Sequence, residues 1–132
     1  MKPHKLLYVV LVIVGAFSFA VAPRAATVTE FTQNAFAAAQ HQGKPIIVHI
    51  TASWCPTCAA QRPILARLES QPEFRDLLVF NVDFDTQKDV VREMHARMQS
   101  TIVAFRGNKE VGRSVGDTKP DSLRALLDQA VR

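Results

Sequence analysis

Cysteine is scarce in this chain: its 132 residues include only Cys55 and Cys58. One possible bridge excludes the disulfide scaffolds that hold small secreted domains together in place of a core. Glycine and tryptophan are also few, at five and one. No segment repeats at a period of about 20 to 50 residues and no stretch is of low complexity, which excludes collagen-like and solenoid architectures. Nor is there a large excess of one charge. Sixteen Lys and Arg stand against twelve Asp and Glu, and leaving aside Lys2 and Lys5 near the N-terminus the surplus falls to two. Basic and acidic residues are interleaved, as in Arg67-Leu-Glu69 and Arg92-Glu93, and no run of like charge marks a phosphate-tracking face, so a nucleic-acid partner is not expected. With 48% hydrophobic and 21% charged residues, the composition is that of one ordinary globular domain.

One long uncharged run is present. Leu6 to Ala22 follows the basic stretch Lys2-Pro-His-Lys5, and small residues at Ser18, Ala20 and Ala22 suit a signal peptidase. Residues 1–22 are therefore expected to be a signal peptide or, uncleaved, an N-terminal membrane anchor. As a helix the run spans roughly 26 Å, a little short of a ~30 Å hydrocarbon core. Either way the positive flank stays inside, and residues 23–132 are expected to fold outside the cytoplasm, in the periplasm or an equivalent compartment.

The remainder alternates between strand and helix signals. Thr27 to Phe31 reads as an edge strand, and a helix follows from Asn34, capped by Thr32 or Asn34 and stopped by Gly43. Ile46 to Thr51 is almost continuously β-branched, as in a strand covered on both faces, and is placed at the sheet centre. Cys55 to Leu68 reads as a helix kinked at Pro63, Leu77 to Phe84 as a strand, and Gln87 to Met98 as a helix with Val90, Val91, Met94 and Met98 inward. Thr101–Phe105 and Glu110–Val115 flank Gly107-Asn108 as a hairpin, and Pro120 starts a last helix with Leu123, Leu126 and Leu127 inward. The class is α/β, with a mixed sheet of four to five strands flanked by helices.

The chemistry lies in Trp54-Cys-Pro-Thr-Cys58, where the central strand turns into a helix. Residues three apart share a helix face, so the two sulfurs can cycle between dithiol and disulfide with little backbone motion. The first sulfur meets free backbone N–H groups and the positive end of the helix dipole, both of which favour thiolate. Helix-start and Cys-X-X-Cys thiols have pKa values of roughly 3.5 to 7.5, against ~8.5 for a free thiol. Cys55 is thus the candidate nucleophile, and Cys58, one turn deeper and less exposed, the resolving thiol. Two other readings stay open: a structural bridge, which would close too small a loop to do much, and a zinc half-site, for which His41, His49 and His95 lack ligand spacing.

These residues resemble the thioredoxin superfamily from Phe31 to Val131. Lys44-Pro-Ile-Ile-Val leads into Ala52-Ser-Trp-Cys-Pro-Thr-Cys. Pro63 falls where that family kinks its helix, and Val82-Asp83, Thr101-Ile-Val-Ala-Phe, Gly107 and Val115-Gly116 follow in the family's order. The resemblance implies the thioredoxin fold, with Cys55 attacking. Three positions depart from the pattern. Ser100 stands where the family places a cis-proline facing the sulfurs, so a trans or distorted loop is expected, with the serine hydroxyl available to the Cys55 thiolate. His49 stands six residues before Cys55 in place of a buried aspartate, and is a candidate relay for the proton of Cys58. Val79 stands where the aspartate's lysine partner would be, so that pair is absent as a unit.

The expected activity is thiol-disulfide exchange without a bound cofactor, by a monomeric reductase or electron carrier that a membrane thiol donor recharges. Trp54, Pro56, Thr57, Ser100 and Thr101 are the candidate contacts for disulfide-bearing client proteins, and no metal site is assigned. The competing reading is a metal-handling or redox-sensing binding module built on the same two sulfurs, left more open by the loss of the loop proline.

Overall fold

The computed structural model describes residues 24–132. The leader assigned to residues 1–22 lies outside them.

Five strands form one sheet in the order β1-β3-β2-β4-β5. The strands are β1 (Thr27–Glu30), β2 (Pro45–Thr51), β3 (Leu78–Asp83), β4 (Thr101–Arg106) and β5 (Lys109–Val115), and the helices are α1 (Gln33–His41), α2 (Pro56–Glu69), α3 (Lys88–Glu93) and α4 (Pro120–Val131). β1, β3 and β2 run parallel, while β4 and β5 join antiparallel as a hairpin. β2 is central and β1 an edge strand, as its exposure on both faces implies.

Alternation along β2 decides what lies under each helix layer. Ile46, Val48 and Ile50 pack with Phe36, Phe80 and Phe105 beneath α1 and α3, whereas Ile47 packs with Leu65, Leu68, Leu123 and Leu127 beneath α2 and α4. His49, two residues on from Ile47, therefore points at the α2 layer. On α2 the buried residues are Cys58, Gln61, Leu65 and Leu68, the stripe expected of a helix lying on a sheet, with one polar member. Pro56 occupies the first turn of α2, where a missing N–H costs nothing, and Pro63 lies exposed within the helix.

α3 is shorter than its apolar spacing suggests. The chain leaves the helix at Met94, and His95 takes a left-handed φ of 52°. His95 N–H donates to Arg92 O and Ala96 N–H to Val91 O, the paired bonds of a Schellman termination, here without glycine. Met94 is buried, but Met98 is 54% exposed, so its assignment to the core is corrected. The hydrophobic spacing outlasted the helix because Met94 already fills the apolar space beside α1, and the chain must then turn back to begin β4. A 3-10 turn at Pro72–Phe74, which seats the fully buried Phe74, was not foreseen.

Candidate functional site

Cys55 is the N-cap of α2. Its φ and ψ of −83° and 114° are extended, and its Sγ accepts the Cys58 backbone N–H at 3.1 Å. The sulfur thus occupies the position in which a serine or aspartate oxygen satisfies an orphan donor at a helix start. Cys55 N–H donates to Ala52 O at 3.3 Å, and Cys55 O accepts from Ala59 N–H at 3.1 Å, so strand end, turn and helix share one hydrogen-bonded frame. Cys55 and Cys58 form a disulfide with Cα atoms 5.3 Å apart. Both are buried, Cys55 at 2% exposure and Cys58 at 0%, against Ala52 with Phe84 alongside. The contrast in exposure expected between them is therefore slight in the disulfide form.

Around the pair, Trp54 is 59% exposed and Pro56 exposed, with Thr57 half-buried. Trp54 Nε1 donates to Asp85 Oδ2 at 2.6 Å, which fixes the indole beside the sulfurs instead of leaving it to swing. Asp85 is held in turn by the tight loop after β3, where Asp83 Oδ1 accepts from the N–H groups of Asp85 and Thr86 and from Thr86 Oγ1. Those donors from Thr86 first, and from Asp85, keep the Asp83 carboxyl below the usual carboxylate range.

The Gln99-Ser100 bond is trans, and Ser100 adopts a left-handed φ of 57°. The expectation of a distorted loop holds, but that of a hydroxyl turned to the sulfur does not: Ser100 Oγ donates to Gln99 O at 2.6 Å. The hydroxyl bonds its own backbone because the left-handed turn brings the preceding carbonyl within reach. Thr101 is buried likewise, its Oγ1 donating to Met98 O at 2.7 Å. Both hydroxyls are thus spent on backbone carbonyls of this loop, whose exposed side chain is Met98.

His49 is 3% exposed, with Nε2 3.1 Å from Gln61 Oε1. Burial lowers its pKa from the ordinary histidine value, the Gln61 bond partly offsets this, and the Arg62 charge adds to the lowering. The ring is therefore neutral at neutral pH. It lines a cleft of about 440 Å3 with Thr51, Arg62, Glu69 and Asp83, in which burial raises the Glu69 carboxyl above its usual value. Two residues escaped the sequence reading, Asp85 and Gln61. For Gln61 a signal exists: it is the lone polar side chain on the inward stripe Cys58, Gln61, Leu65, Leu68. Among the described residues no group of three or more His, Cys, Asp or Glu side chains is placed to hold a metal ion.

Comparison with known proteins agrees with this geometry. The family model "Thioredoxin" matches residues 27–129. A thioredoxin H-type from Fagopyrum esculentum is 33% identical over 104 residues, covering 79% of this chain and 87% of that protein. Another from Brassica campestris is 31% identical over 94 residues, covering 71% and 75%. The crystal structure of Trxlp from Edwardsiella tarda superposes with a TM-score of 0.74 at 40% identity, covering 80% of this chain and all of that one. With a cysteine pair at the start of α2 and this extent of similarity, the chain belongs to the thioredoxin family and is a thioredoxin-type thiol-disulfide oxidoreductase whose redox pair is Cys55 and Cys58.

Proposed function

We propose that the protein is a monomeric protein-disulfide reductase, or electron carrier, working outside the cytoplasm. The observation that supports the mechanism is Cys55 Sγ at the N-cap of α2, where it accepts the Cys58 N–H. Once the pair is reduced, that donor and the helix dipole favour thiolate over thiol at Cys55. The Cys55 thiolate attacks one sulfur of a client disulfide; a mixed disulfide forms, and the other client sulfur leaves and takes up a proton. His49, neutral and buried beneath α2, accepts the Cys58 proton. The Cys58 thiolate then attacks Cys55 Sγ, the Cys55–client bond breaks, and the second client sulfur leaves with the proton returned by His49. The client gains two electrons and two protons, and Cys55–Cys58 becomes a disulfide again.

Trp54, held by Asp85, offers the client an aromatic surface beside the sulfurs, next to Pro56 and Thr57, and the backbone of Ser100 and Thr101 is the further client contact in this reading. The compartment reading rests on Lys2-Pro-His-Lys5 followed by the uncharged run Leu6–Ala22, as cleaved leader or tether. In an oxidising compartment the spent disulfide needs a dithiol donor in the membrane to recharge it.

Cys58→Ala is expected to accumulate client mixed disulfides on Cys55 in non-reducing gels, since nothing resolves them, while Cys55→Ala captures none. Capture by both variants, or by neither, refutes the assigned roles. The direction is read separately: a potential near about −270 mV fits a reductase, and one near about −120 mV marks an oxidant and overturns that part of the proposal.

A further inference from the structure

Gln61 has 0% exposure and sits one helical turn past Cys58 on the inner face of α2. A buried amide of this kind needs partners, and here each of its atoms is used. Nε2 donates to Ser100 O at 3.2 Å and to Asp117 O at 2.9 Å, while Oε1 lies 3.1 Å from His49 Nε2. The two carbonyls can only accept, so the NH2 group must face them; a flipped amide would set oxygen against oxygen. The atom facing His49 is therefore an oxygen, which can only accept, and His49 Nε2 must carry hydrogen. In the neutral ring the lone pair is then on Nδ1. No side chain or backbone group bonds Nδ1 among the described residues, and the ring lines the 440 Å3 cleft, where the Thr51 hydroxyl is also buried without a partner.

We infer that Gln61 is a positioning residue for disulfide exchange: its amide, anchored on the Ser100 and Asp117 carbonyls, fixes His49 in the tautomer whose Nδ1 is free to take the Cys58 proton. This rests on His49 serving as the proton partner of Cys58. The same amide links the helix carrying Cys58, the strand carrying His49 and the loop before β4, so the proton acceptor and the client-facing loop share one anchor. The titratable groups lining the cleft with the ring are Arg62 and Glu69 of α2, Glu30 of β1 and Asp83 of β3; Cys58 lies one turn before Gln61 on the same inner face of α2, in the disulfide with Cys55. The opposing effect of the Gln61 bond on the histidine, against burial and Arg62, has the sign this geometry requires.

Two substitutions separate positioning from mere packing. Gln61→Met keeps the volume but removes acceptor and donors. Gln61→Glu keeps an acceptor towards His49, adds negative charge and loses both donors. Protonating His49 stops it from accepting, so exchange by the full chain falls away as pH drops through the histidine pKa. That acidic limb is expected to move down by about one pH unit in Gln61→Met, which loses the bond favouring the protonated ring, and up by about one unit in Gln61→Glu. At neutral pH, Gln61→Met is expected to be roughly tenfold slower in resolving mixed disulfides. Ring-nitrogen NMR of isotope-labelled protein is expected to show His49 protonated on Nε2 alone in the wild type and on a mixture of nitrogens in Gln61→Met. Limbs that stay put or move in the same direction, with an unchanged NMR signature, overturn the inference even if both variants are less stable. His49→Gln keeps the two failures apart: if it retains the wild-type acidic limb, the histidine role itself fails. If it loses the limb while the Gln61 variants keep it, only the Gln61 inference fails.

Discussion

Cys55→Ser is expected to stop turnover, with disulfide reduction falling by at least about a thousandfold. Serine places oxygen where sulfur was, but a hydroxyl in this frame is not appreciably ionised at neutral pH, and an alkoxide is a poor attacker of a disulfide sulfur. The substitution also separates chemistry from folding. Position 55 is the N-cap of α2, and serine is among the best N-cap residues, so its Oγ takes over the Cys58 N–H that Sγ accepts at 3.1 Å. What is lost is the bridge, which constrains a loop with a sequence separation of three, worth only about 2 kcal/mol in the chain-entropy account. The proper reference is therefore the reduced wild type, and Cys55→Ser should melt within a few degrees of it. Insulin reduction fed by a dithiol, run beside a circular-dichroism melt, measures both. Activity within tenfold of wild type would mean that another sulfur or another chemistry does the work, and a collapsed melt would mean that Cys55 is structural.

Much of the fold was legible because its signals are local. The β-branched run of β2, the alternation that turns His49 towards α2, the cap offered by Thr32 or Asn34 and supplied by Thr32, Gly43 at φ 66° and the Gly107 turn each act within a few residues. Helix α3 overran for the opposite reason. Val90, Val91, Met94 and Met98 keep helical spacing, and nothing local marks His95 as the residue that turns left-handed; a glycine there would have. The site divides along the same line. The cysteine pair is readable from its spacing and its place after a strand, but the groups that orient its neighbours are distant in sequence. Trp54 and Asp85 are 31 positions apart, and Gln61 is 39 from Ser100 and 56 from Asp117. Only the folded sheet brings these partners together, so Ser100 read from sequence was assigned a hydroxyl role, whereas the group that matters in the structure is its carbonyl.

That carbonyl makes Ser100→Pro the second large effect, although proline is what the family usually carries there. Ser100 has φ 57°, and its oxygen accepts from Gly116 N–H at 2.9 Å and from Gln61 Nε2 at 3.2 Å. A proline ring holds φ near −65°, so accommodating it turns the backbone by about 120° and swings the oxygen off both donors. Gln61 Nε2 keeps Asp117 O for one of its hydrogens, but the other is left unpaired in a fully buried site; such a loss costs about 1 to 3 kcal/mol, and the restriction that proline places on Gln99 adds to this. A loss of about 3 kcal/mol or more is expected, a drop in melting temperature of roughly 12 °C or more for a domain of this size. Ser100→Gly is the matched control. It relieves the left-handed strain of a non-glycine residue but gains freedom in the unfolded chain and gives up the Oγ bond to Gln99 O, so its net change should stay within about 1 kcal/mol. A proline variant that melts with the glycine variant would show that this loop accepts the family's geometry freely, and the Ser100 oxygen could then not be the anchor that holds Gln61 in place.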